Sequence, residues 1–291
     1  NFTNNSSGTF TATGSTVTLS GTTAQTIGGS TSTTFNNLTI NNSAGVSLTA
    51  TNPTTVGGAF TLTSGAFNVN TSTLNLNSTV TATSGSLTSS ATGYVNYYQP
   101  TINQSVLIGN YGNLGFSDVN KILPNTGTIS IAGTFSPGSA TGHTITGSTI
   151  EFNGSGAQTI PAFKYNNLTV TNTGANMTLA GSGTISVAGT FTPGSSTFGT
   201  ITGSTIEYNG GSAQTQSSFT YNNITLNNSN GLSLTGDCKV NGALTLTAGI
   251  LNTNENTLTF GTSATHTAET NGKYIQGIAY MLPRTVGTGT I

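Results

Sequence analysis

Residues 57–65 read Gly57-Gly58-Ala59-Phe60-Thr61-Leu62-Thr63-Ser64-Gly65. The phrase returns as Asn241-Gly242-Ala243-Leu244-Thr245-Leu246-Thr247-Ala248-Gly249. Inside each copy apolar and polar residues alternate, which marks a strand with one buried face. Gly and Asn-Asn pairs punctuate such runs, as corners that visit φ > 0 require. The same two-residue period recurs in short triplets: Val17-Thr18-Leu19, Leu38-Thr39-Ile40, Val46-Ser47-Leu48, Phe67-Asn68-Val69 and Leu74-Asn75-Leu76. Helical signals are nearly absent, because Lys, Glu, Arg and Gln are scarce and no stretch keeps a 3.6-residue spacing between caps.

The spacing of the triplets predicts how they stack. Val17, Leu38 and Phe60 lie about 21 or 22 residues apart, Gln25, Val46 and Phe67 about 21, and Thr54 and Leu74 about 20. In the middle of the chain Ile150, Leu168, Val187 and Ile206 step by about 18 or 19. Three short strands per turn, with a turn every 18–22 residues, is the arithmetic of an all-β, right-handed parallel β-helix, or β-solenoid. Inward Val, Ile, Leu and Phe then stack from coil to coil, and Thr, Ser and Asn form ladders outside. No single coil has a core, so several must stack before any is stable. Tandem antiparallel β-sandwiches of about 90 residues would also place strands every 8–12 residues. Strands of three to five residues and the recurring coil length favour the solenoid.

Longer-range repeats divide the chain. Gly14-Ser15-Thr16-Val17 recurs as Gly147-Ser148-Thr149-Ile150 and Gly203-Ser204-Thr205-Ile206, each followed by Ala-Gln-Thr at Ala24, Ala157 and Ala213. An aromatic-Asn-Asn-aliphatic-Thr element begins at Phe35, Tyr165 and Tyr221, with a degenerate copy at Tyr111-Gly112-Asn113-Leu114. Ala132-Gly133-Thr134-Phe135-Ser136-Pro137-Gly138 returns at Ala188–Gly194. The expected organisation is a long unit over 1–93, an irregular aromatic-containing insertion and return to coils over 94–131, short units over 132–202 and a last long unit over 203–291. The sequence begins at Asn1 and ends in Thr288-Gly289-Thr290-Ile291, which reads as the start of another strand, so it is expected to be a fragment of a longer processed protein.

Composition narrows the chemistry. Charged residues make up 4% of the 291 and the net charge is −1, against roughly 25% charged in ordinary domains. Apolar residues reach 33%, with 13 Phe and 9 Tyr, so the chain is expected to fold rather than stay disordered. Five Lys and Arg cannot neutralise several phosphates, and no nucleic-acid partner is expected. One cysteine, Cys238, excludes an internal disulfide or a cysteine-based metal site. No apolar run approaches the length of a membrane span, so no membrane insertion by a helix is expected.

Few residues could carry chemistry. Glu151 and Glu207 occupy equivalent places in repeated Gly-Ser-Thr-Ile-Glu elements. Three coils apart they would be about 14 Å from one another, wider than the roughly 6.5–9.5 Å of an inverting glycosidase pair. They are expected to be outward strand residues. His143, His266, Asp118 and Asp237 stand isolated, without convergent ligands, and Cys238 lacks a neighbouring His. No catalytic, cofactor-binding or metal-binding residue is assigned, and no cofactor is expected. The binding candidates are tyrosines of the two aromatic-rich segments: Tyr94, Tyr97 and Tyr98, and Tyr274 and Tyr280. A Tyr ring offers an apolar face and a polar tip to a sugar or protein.

Taken together, Phe/Tyr-Asn-Asn-Leu-Thr-Ile/Val followed by Gly-Ala-Leu/Phe-Thr-Leu-Thr-x-Gly, over 35–76, 165–194 and 221–261, resembles the repeats of very large Bacteroidota surface proteins. Among such proteins it looks like the SprB-like gliding-motility adhesins, substrates of the type IX secretion system. Tyr274-Ile275-Gln276-Gly277 with Pro283-Arg284-Thr285 resembles the closing element of such a unit. The resemblance implies a secreted protein displayed on the bacterial cell surface. It also implies adjoining repeats of the same chain as structural partners, passage through the type IX machinery, and contact with surface glycans or abiotic surfaces. The function expected is a non-catalytic, stiff adhesive stalk. A carbohydrate-binding or polysaccharide-degrading β-helix is the rival, and ice binding by Thr arrays a third reading.

Overall fold

A computed structural model describes residues 1–5, 10, 12–174 and 176–281. The Pro283-Arg284-Thr285 and Thr288–Ile291 elements lie outside the described residues. Among the described residues every regular element is a strand, and the ladders joining strands run parallel. Antiparallel sandwiches are thereby excluded, and the chain is a β-solenoid. It forms two compact units, Asn1–Gln158 with Thr171–Ala175, and Thr159–Val170 with Asn176–Ile291.

In the first unit the chain visits three sheets in turn. Thr16–Ser20, Asn37–Asn41, Phe60–Ser64 and Val80–Ala82 form one. Gln25–Gly28, Val46–Leu48, Ala66–Asn68 and Ser86–Thr88 form the second. Thr33–Phe35, Thr54–Val56, Thr73–Leu76, Tyr94–Tyr97, Asn113–Phe116 and Phe135–Ser136 form the third. Val17 pairs with Leu38 and Leu38 with Phe60, as the spacing predicts. Gln25 pairs with Val46 and Val46 with Phe67, and Thr54 with Leu74. The third sheet runs on through the segment 94–131, where Leu114 lies on Val95 and Phe135 on Leu114.

In the second unit Phe163–Tyr165, Thr184–Val187, Thr205–Tyr208, Asn223–Asn227, Ala243–Ala248 and Thr265–His266 form one parallel sheet. Here two expected steps fail. Leu168 pairs with Phe191, in a different sheet from Val187, while Val187 pairs with Tyr208 and Ile206 with Ile185. The sequence Thr184-Ile185-Ser186-Val187 offers two inward residues two positions apart. Period-two alternation cannot choose between them, and coil-length variation at the corners makes the choice.

The corners explain the repeated polar words. In Ala-Gln-Thr the glutamine points inward and clamps the chain. Gln214 Nε2 donates to the carbonyls of Val187 and Gly189 (2.9 and 2.7 Å), while its Oε1 accepts from Gly210 N and Asn228 Nδ2 (both 2.9 Å). Gln158 repeats the pattern with Ile131, Gly133, Gly154 and Asn172. Gln25 keeps the amide contact, accepting from Asn42. In aromatic-Asn-Asn the ring is buried at Phe35, Tyr165 and Tyr221. The second Asn caps the next coil: Asn37 Oδ1 accepts from Ala59 N, Asn223 Oδ1 from Ala243 N and Asn167 Oδ1 from Thr190 N (2.8–3.0 Å). The glycine before the capped residue is required by contact. A Cβ on Gly58 would fall 2.3 Å from Asn37 Oδ1, and one on Gly242 would fall 2.4 Å from Asn223 Oδ1.

In the Gln214 clamp Val187 O also accepts from Asn209 N, but a leucine would take the acceptor from Gly210 N. Gln214→Leu is therefore expected to cost about 3 kcal/mol, since each unsatisfied buried polar group costs roughly 1–3. Guanidinium unfolding measures it. A loss below about 1 kcal/mol would show that water takes over the clamp.

Candidate functional site

The aromatic segment at the start of 94–131 becomes the strand Tyr94–Tyr97 because its residues alternate like the rest. Val95 and Tyr97 point inward and are fully buried, whereas Tyr94 and Tyr98 are 47% and 43% exposed. Tyr97 therefore leaves the set of binding candidates. Its hydroxyl meets that of Tyr111 at 3.0 Å. The Tyr111 proton goes to Leu107 O (2.8 Å), so Tyr97 donates to Tyr111.

Outside, Tyr94, Asn96 and Tyr98 follow one another on the same face. Asn96 is held in a polar ladder: its Nδ2 donates to Asn75 Oδ1 (2.9 Å), and Asn75 Nδ2 to Thr55 Oγ1 (3.4 Å). On the next strand Gly115 faces Asn96. A Cβ there would lie 2.4 Å from Asn96 Oδ1 and 3.3 Å from Tyr98 Oη. The amide oxygen and the phenol thus converge over Gly115 and cover its backbone. Just past Tyr98, a cleft of about 140 Å³ is lined by Ser78, Thr79, Gln99, Asn103 and the exposed Ile102, among others. Its loop is pinned by Gln104, whose Nε2 donates to Leu76 O and Ser78 O and whose Oε1 accepts from Gln99 N. No charged side chain and no histidine occurs before Asp118; charge enters on the adjoining coil, where Lys121 pairs with the cleft-lining Gln104.

Sequence reasoning missed one cluster. Lys121 is buried, and its Nζ donates to Ser117 Oγ (2.8 Å) and Val119 O (2.9 Å). Desolvation pushes its ammonium down to about 8, against a partial pull upward from Asp118. Asp118, exposed, is held below the usual carboxylate range by hydrogen bonds from the Ser139 side chain and backbone, helped by Lys121. His143 Nδ1 accepts from Lys121 N (2.9 Å), so the ring's proton sits on Nε2 and is donated to Ala140 O (2.8 Å). The signal available was the spacing of Asp118 and Lys121, the first two charges of the chain. The arrangement fixes a corner: both ring nitrogens and the ammonium are spent on structural hydrogen bonds.

The remaining candidates stay apart. Glu151 accepts from Ser130 Oγ (2.6 Å) and Thr171 Oγ1 (2.8 Å) within the first unit. Glu207 accepts from Ser186 Oγ (2.7 Å), Asn227 Nδ2 (3.1 Å) and Asn209 Nδ2 (3.3 Å) within the second. Each is an outward residue joined to its ladder neighbours. Cys238 is buried, its thiol pushed up to about 11 by desolvation, beside an open groove lined by Phe219, Asp237 and Lys239. His266 is exposed and its Nδ1 contacts Thr267 O at 2.8 Å. Tyr274 is half-buried, and Tyr280, 60% exposed, sits on the strand Ile275–Met281. Among the described residues no three of His, Cys, Asp or Glu come together.

The exposed tyrosine strip is thus a surface feature that departs from the Thr/Asn ladders around it. The chain matches no protein-family model, no curated protein and no solved structure.

Proposed function

We propose that this chain is a non-catalytic structural segment of an extracellular bacterial surface fibre, a stiff stalk serving adhesion. One observation carries the reading: coil after coil, the polar groups concentrated at the corners are committed to internal amide clamps and caps. Such a chain uses its rare polar side chains to hold a lattice rather than to line a reaction centre. In a solenoid each coil contacts only its neighbours, so length can be added without redesigning a core. Outward hydroxyl and amide ladders keep such a surface soluble without charge, and so insensitive to salt. Display through the type IX system, adhesion and gliding belong to the same proposal and rest on the repeat motifs.

Antibodies raised against the purified chain test the location. They are expected to decorate intact cells of the producing bacterium, and in-frame deletion of the coding segment is expected to reduce attachment to glass. Antigen confined to the cytoplasm would overturn the proposal. The enzymatic rival is tested by incubating the chain with polyuronides and other polysaccharides. No release of reducing sugar is expected, and sustained turnover would overturn the non-catalytic reading.

A further inference from the structure

We propose that Tyr94, Asn96 and Tyr98, with the neighbouring cleft at Gln99 and Asn103, form a binding strip for a neutral polysaccharide. The inference goes beyond the stalk reading and does not depend on it. Tyrosine in an outward ladder position is out of keeping with the Thr and Asn residues that pair beside it, such as Thr73 and Asn113 beside Tyr94. Leaving two rings about half-exposed forgoes the burial free energy that the inward Tyr97 collects. Tyr94 opens the strand and Tyr98 directly follows its last residue, four residues on and about 13 Å away at the usual rise, so an extended chain of several sugar rings can engage both. Between them Asn96 presents an amide fixed by Asn75, and its oxygen and the Tyr98 hydroxyl lie together over the buried Gly115.

The chemistry of the occupant follows from that surface. Flat C–H faces of a sugar suit the tyrosine rings, and sugar hydroxyls suit fixed amides and a phenol, each able to donate and accept. A peptide or nucleic-acid partner would bring charges or phosphates. Tyr94, Asn96, Tyr98 and the residues lining the cleft carry no charge; on the adjoining coil Lys121 spends its ammonium on Ser117 Oγ and Val119 O, and the carboxylate of Asp118 is exposed. A polyuronate is disfavoured for the same reason.

Affinity electrophoresis of the full chain through gels containing mixed-linkage β-glucan, xylan, galactan or polygalacturonate tests the proposal. At least one neutral polymer is expected to retard the protein, with no change on raising salt, and polygalacturonate is expected to leave it unretarded. Tyr94→Ala and Tyr98→Ala should each weaken retardation, and the double variant should lose about tenfold or more, equivalent to about 1.4 kcal/mol. Tyr98→Phe, which keeps the ring, should retain most of the binding. Circular dichroism checks that each variant folds. Tyr280→Ala, in the second unit, should bind like the parent. Absence of retardation by every neutral polymer, or retardation that the folded double variant keeps, overturns the strip and leaves the stalk proposal standing. Retardation by polygalacturonate alone overturns it too.

Discussion

Raising the pH from 10 to 12 is expected to unfold the protein in one steep transition, with phenolate absorbance appearing as the fold is lost. Five tyrosines are fully buried: Tyr97 and Tyr111 in the first unit, and Tyr165, Tyr208 and Tyr221 in the second. Burial pushes Tyr97 up to about 12 and raises the other four well above the ordinary phenol value. The hydroxyls are satisfied as neutral donors. Tyr208 donates to Gln216 Oε1, so Tyr221 donates to Tyr208 (2.8 Å), while Tyr165 donates to Pro161 O (3.0 Å). A folded-state value above the unfolded one fixes the sign. The contribution is complete below pH 10, where both states hold the proton, and is lost as pH rises toward the folded value. Tyr97 alone then loses roughly 2–3 kcal/mol, since each pKa unit is worth about 1.4. The other four act in the same direction, against a typical total of roughly 5–15 kcal/mol.

Lys121 works in the opposite sense at lower pH. Its folded value near 8 lies below the unfolded one, so the unfolded chain holds more protons between the two and stability climbs from about pH 8 toward 10. Thermal midpoints by circular dichroism are therefore expected to peak near pH 10 and fall sharply beyond it. Phenolate absorbance that saturates for all nine tyrosines while the β signal persists would contradict the buried assignment.

The solenoid was legible because its two periods are written in the residues. Alternation gives the strand, and coil length gives the stacking of Val17 on Leu38 and of Leu38 on Phe60. The pairing of Ile206 with Ile185 was not legible, because two apolar residues at positions i and i+2 satisfy the same alternation. Orientation within the aromatic segment had a signal that the segment's irregular appearance hid. In Tyr94-Val95-Asn96-Tyr97-Tyr98 the same period-two rule sends Val95 and Tyr97 inward and leaves Tyr94 and Tyr98 outside. The glutamine clamps were visible as repeated words without a visible reason. A buried amide gains its meaning from carbonyls 25 or 27 residues earlier, as with Gly189 and Val187 for Gln214, and only stacking brings those to one corner. Lys121 escaped notice because, in a chain of few charges, a lone lysine reads as solvent-exposed. Its acceptors, Ser117 and Val119, are a local loop that only the folded corner brings to its ammonium.

Replacing Gly249 by alanine is expected to be the most damaging single-methyl substitution in the second unit, at about 4 kcal/mol. Two costs add. The residue sits at φ +88°, in the left-handed region that costs an L-residue roughly 1–2 kcal/mol. The new Cβ would also lie 1.8 Å from Asn228 O and 2.9 Å from its carbonyl carbon, a contact that only backbone movement relieves, and such forced shifts cost roughly 1–3 kcal/mol. The carbonyl it strikes already accepts from Gly231 N at 2.9 Å, and Asn228 is the residue whose side chain bonds the Gln214 clamp. Movement of Asn228 therefore loosens the amide network of the coil beneath as well as the turn itself. Gly65 holds the equivalent place in the first unit, at φ +80° and 1.8 Å from Asn42 O, and Gly65→Ala should behave alike. The control is Gly211→Ala, where a Cβ meets nothing within 4 Å and φ is not in the left-handed region. That substitution should be neutral or stabilise by about 0.4–1 kcal/mol through the unfolded chain. Urea unfolding of the three variants gives the ranking, and amide exchange at Gly231 locates the damage. Equal stability of Gly249→Ala and Gly211→Ala would mean that the corner at Asn228 is not held where the coil stacking requires it.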